Sequence, residues 1–69
     1  MNNFEFEIRR FCSAYDAGTS KGDTTAAILN VFSQFNREAT VFDVRDVLDR
    51  ELNVPETVEH ILQIAKKVE

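Results

Sequence analysis

A single proline, Pro55, sets the frame for the second half of the chain. Proline cannot continue a helix from its interior but sits well in a first turn. Asn53, two residues earlier, is among the few residues that readily take the left-handed conformation ending a helix. Asn53-Val54-Pro55 therefore reads as a hinge between two helices. The first is expected over 40–52, with the Thr40 hydroxyl facing the free amides of the opening turn and Asp43 three residues on. Val41, Val44, Val47, Leu48 and Leu52 recur at the spacing that stacks side chains on one helical face. Asp43, Arg45, Asp46, Asp49 and Arg50 fill the other. The second helix is expected over 55–67, with Val58, Ile61, Leu62, Ala65 and Val68 as its apolar stripe. Glu56 and Glu59 near its start, and Lys66 and Lys67 near its end, suit the helix dipole. A link this short makes the two helices neighbours in space.

The first half repeats the pattern. Asn2 or Asn3 can cap a helix over 3–16 in which Phe4, Ile8, Phe11, Cys12 and Tyr15 share a face. The opening Phe4-Glu5-Phe6-Glu7-Ile8 alternates like a strand, but the helical spacing persists through Tyr15 and decides for helix. Phe6 then lies off the buried face. Ala17 to Gly22 is a polar loop, and Asp23 is expected to cap a helix over 23–35 carrying Ile28, Val31, Phe32 and Phe35. Asn36 to Ala39 connects it to Thr40. Four short helices with brief connections predict one all-α domain over 1–69, a compact bundle of two helical hairpins whose six phenylalanines dominate the core.

Composition narrows the function classes. Hydrophobic residues make up 43% and charged residues 29% of the 69, ordinary globular values that argue against wholesale disorder. A chain this short gains only ~3–5 kcal/mol from one core. Self-association as a homodimer, or a partner protein, is a further source of stability. One cysteine fits a reducing compartment. No stretch approaches the length of a membrane span and no leader pattern opens the chain, so a cytoplasmic location without membrane attachment is expected. The net charge of −4 disfavours nucleic acid as a partner.

Leu52-Asn53-Val54-Pro55-Glu56-Thr57-Val58 resembles the turn of the DNA-binding helix-turn-helix family, over about a third of the chain. The resemblance implies a regulator using 41–67, with His60, Gln63, Lys66 and Lys67 toward DNA. The chain departs from the family in three respects. The turn reads one residue short, Asp49 replaces a small residue packed between the helices, and Glu56 and Glu59 open the helix that would meet phosphates.

A second candidate is the loop 17–25, which leads into a helix N-terminus where Lys21, Thr24 and Thr25 are placed to hold a small anion or nucleotide. It lacks the Lys-Ser/Thr pair of a P-loop, and Asp23 would repel an anion. As a calcium loop it fails, since Lys21 and Ala27 replace the glycine and glutamate that such a loop needs. Catalysis has no assembled set. Cys12 lies on an apolar face and nothing couples it to His60. No enzyme activity, metal or cofactor is therefore expected. The reading favoured by these residues is a small acidic helical module that binds another protein. Its contact surface is expected on Asp43, Asp46, Asp49 and Arg50, or around Phe6, Arg9 and Arg10.

Overall fold

The computed structural model describes residues 3–69; the Asn2 capping alternative lies outside them. Four helices and two short strands form among these residues: α1 Phe4–Asp16, α2 Lys21–Gln34, β1 Arg37–Glu38, α3 Val41–Leu48, α4 Val54–Ile64 and β2 Lys66–Lys67. The helices pack pairwise into a compact, mostly helical domain. Helix α1 lies against α2 and α4, and α3 lies against the same two helices from its own side. No described helix is long and apolar enough to cross a membrane.

Side-chain caps explain where α2, α3 and α4 begin, whereas Asn3, expected as a cap, precedes α1 without a side-chain cap bond. Ser20, not Asp23, starts α2: its side chain accepts from the Asp23 amide at 3.1 Å, and Asp23 becomes the acid of the first turn. The cap of α2 therefore lies three residues earlier than expected. Thr40 caps α3 as expected, accepting from the Asp43 amide at 3.0 Å. Asn53 caps α4 with extended backbone, φ −71° and ψ 165°, and accepts from the Glu56 amide at 2.9 Å. It thus opens a helix rather than ending one. The left-handed role falls to Asn36 instead, at φ 56°. Helix α3 stops at Leu48, short of the expected Leu52, so five residues connect it to α4.

The sheet is the element that helical periodicity did not announce. Ala65 turns extended, with φ −77° and ψ 93°, and ends α4 before the lysines. Lys66 and Lys67 then pair antiparallel with β1, Glu38 opposite Lys66 and Arg37 opposite Lys67. The first pair matches opposite charges. The second would oppose like charges, but the Arg37 guanidinium turns away, donating to the Ala65 carbonyl at 3.4 Å and lying 5.4 Å over the Phe4 ring. The Val68 amide donates to the Asn36 carbonyl at 3.0 Å, extending the closure.

The core runs through Ile8, Ile28, Phe32, Val44 and Ile61, each all but sealed from solvent. The phenylalanines do not dominate it. Phe32 is fully buried, Phe4 and Phe35 pack at its edge with ring centroids 5.3 Å apart, and Phe11 is half-buried. Phe6 and Phe42 stand in solvent. Val41, expected on the buried face, is exposed as well, at the very start of α3.

Candidate functional site

The outer face of α3 collects the acidic residues expected there and adds a ring. At about 100° per residue, Phe42 lies roughly 160° around the helix from the buried Val44. Asp46 and Asp49 fall on the same outer stripe, with Asp43 and Arg45 on its flanks. These five residues line one shallow surface depression. Phe42 is 81% exposed, the largest value among the described bulky hydrophobics.

The charges around the ring differ in how they are held. Asp46 is 3.7 Å from Arg50 one turn on, and Asp49 pairs with Lys21 of α2. Both pairs are largely in solvent, so they orient side chains more than they stabilise the fold. The Asp43 carboxylate and the Arg45 guanidinium have no ion-pair partner among the described residues. Asp43 sits in the first turn, where the helix amides favour an anion.

The other expected residues are distributed as follows. Phe6 is exposed on α1, with Arg9 paired to Glu5 at 3.0 Å and Arg10 to Glu7 at 3.2 Å beside it. His60 is half-buried on α4, its Nδ1 3.5 Å from the Arg50 guanidinium, while Gln63 is exposed. Lys66 and Lys67 belong to β2, which takes both cations off the helix that the resemblance would place on DNA. Lys21 is engaged by Asp49. Thr24 is buried and donates to the Ser20 carbonyl at 2.9 Å, and Thr25 is buried with no partner for its hydroxyl among the described residues. The anion group is therefore not gathered around one point.

Cys12 is buried among apolar side chains, and burial pushes its thiol from 9.0 up to about 11. The folded state thus disfavours the thiolate relative to the unfolded chain. Stability from this group is whole below pH 9 and drains away as pH rises toward about 11. Urea unfolding at stepped pH is expected to show that decline, and Cys12→Ala is expected to flatten the part due to this thiol. An unchanged slope in the variant would exclude it. The described residues hold no group of three or more His, Cys, Asp or Glu placed for a metal ion.

Phe42 was legible in principle. The helical wheel that put Val44, Val47 and Leu48 inside puts it outside, and a large aromatic there is the anomaly to notice. Comparisons with protein-family models, with curated proteins and with solved structures find no match.

Proposed function

We propose that the protein acts by binding another protein through the outer face of α3. Phe42 is the apolar anchor, and Asp43, Asp46 and Asp49 set the charge around it. The observation that carries this reading is the Phe42 ring, presented to solvent on a capped helix while carboxylates surround it. Aromatic side chains are enriched at the centres of protein interfaces, and an exposed one contributes little to the stability of its own chain. The charges add selectivity and speed of encounter more than affinity.

Affinity capture from the native host, with nuclease treatment and mass spectrometry, tests it. The wild-type chain is expected to retain a stoichiometric protein partner. Phe42→Ala is expected to weaken that partner's binding by at least about tenfold, the loss of an interface anchor, with the melting temperature unchanged. Charge reversal at Asp46 and Asp49 is expected to weaken it further. Partners recovered equally by wild type and Phe42→Ala would sink the reading. Partners lost on nuclease digestion would transfer it to the helix-turn-helix alternative.

A further inference from the structure

A cleft opens where the end of α1 meets the end of α3, the connection 49–53 and the first turns of α4. It is half open to solvent and measures about 430 Å³, toward the lower end of small-ligand sites. Its walls are Leu48, Leu52 and Val54, with the Cys12 thiol among them. That thiol is 2% exposed and makes no hydrogen bond among the described residues.

The charged side chains at this cleft carry one sign, and the opposing first turn of α4 is capped, Asn53 accepting from the Glu56 amide at 2.9 Å. Asp16 and Glu51 line it, no Lys, Arg or His does, and neither carboxylate has an ion-pair partner among the described residues. Helix α1 ends here with no basic residue in its last turn, so the negative end of its dipole adds to the two carboxylates. The Tyr15 hydroxyl is engaged, donating to the Leu48 carbonyl at 3.3 Å, which anchors its ring in the lining. The Thr57 hydroxyl is likewise spent on the Asn53 carbonyl at 3.0 Å.

We propose that this cleft binds a small organic ammonium ion. Its alkyl part lies against Leu48, Leu52 and Val54, and its charge sits among Asp16, Glu51 and the Tyr15 ring. Carboxylates and an aromatic ring are the groups that attract an alkylated cation. Calcium or magnesium would demand six or more oxygens, which apolar walls do not offer. An anion would be repelled by both carboxylates, with only the capped first turn of α4 to attract it. This site is separate from the Phe42 face and does not depend on the protein-binding reading.

Amide shifts of the ¹⁵N-labelled chain, titrated with butylammonium chloride, test it. Butanol and butyrate serve as neutral and anionic isosteres, and a short acetylated lysine peptide as a protein-borne amine. Butylammonium is expected to shift Cys12, Tyr15, Val54 and Thr57 to saturation, with the isosteres inert. Asp16→Asn and Glu51→Gln, singly and together, are expected to weaken binding, by at least about tenfold in the double variant. Phe42→Ala is expected to leave it unchanged. Absence of saturation, equal binding of butanol, or retention of affinity in the double variant would overturn the proposal. Binding of the lysine peptide without free butylammonium would overturn it too, by making the cleft a contact for a partner protein.

Discussion

Phe32→Ala is expected to leave much of the population unfolded at room temperature. Phe32 is 1% exposed at the centre of the core, with the Phe4 ring centroid 5.8 Å from its own. Truncating a buried phenylalanine removes its transfer free energy and leaves a cavity, together ~3–5 kcal/mol. A core in a chain this size supplies about the same. The helices cannot survive the loss separately, since α3 and α4 are both shorter than an isolated helix needs in water. Far-ultraviolet circular dichroism through a urea titration reads this directly. A midpoint close to wild type would mean that stability resides outside this core. The same scan on Phe42→Ala is expected to be near-silent, within about 0.5 kcal/mol. The contrast between these two phenylalanines separates the ring that holds the fold from the exposed ring proposed as a partner contact.

The opposite sign is expected at Thr25. Its hydroxyl is buried without a partner among the described residues, whereas the neighbouring Thr24 hydroxyl donates to the Ser20 carbonyl at 2.9 Å. A buried hydroxyl without a hydrogen bond carries a desolvation cost of about 1–3 kcal/mol. Valine has nearly the same shape and a similar helix propensity, so Thr25→Val removes the cost and leaves the packing. The variant is expected to gain about 1–2 kcal/mol, several degrees in melting temperature for a domain this small. Thr24→Val is expected to lose stability, because it deletes a satisfied bond at the start of α2. Calorimetry on the two variants checks both signs, and destabilisation by Thr25→Val would show that its hydroxyl is satisfied in solution.

The four helices were readable because apolar residues recur at helical spacing for long enough to exclude a strand. Ile8, Cys12 and Tyr15 did this for α1, and Val44, Val47 and Leu48 for α3. Their ends were harder to place, since the chain holds competing signals and tertiary contacts choose between them. Ser20 and Asp23 are both good caps. With Ser20 as the cap, Lys21 begins α2 and reaches Asp49. Asn36 and Asn53 are both suited to a left-handed turn, and Asn53 is taken as the cap of α4 by the Glu56 amide just past Pro55. Strands of two residues carry no alternation at all, so Lys66 and Lys67 read as a helix end, and only the folded chain sets Arg37 and Glu38 beside them. The acidic face of α3 followed from the same periodicity. The cleft did not, because Cys12, Asp16, Glu51 and Val54 converge only after α1, α3 and α4 have packed.

The two-stranded sheet has a consequence for recognition out of proportion to its size. It contributes few bonds, yet it fixes the backbone immediately before α3, and Thr40 then locks the first turn that carries Phe42. A contact residue on a loose segment must be immobilised at the moment of association, and that lost freedom is subtracted from affinity. Here the freedom has already been surrendered during folding. On the proposed reading, a partner closing on Phe42 would meet a ring whose backbone is preorganised, so loosening β1 is expected to reach that complex as a weaker affinity before it reaches the free protein as a lower melting temperature.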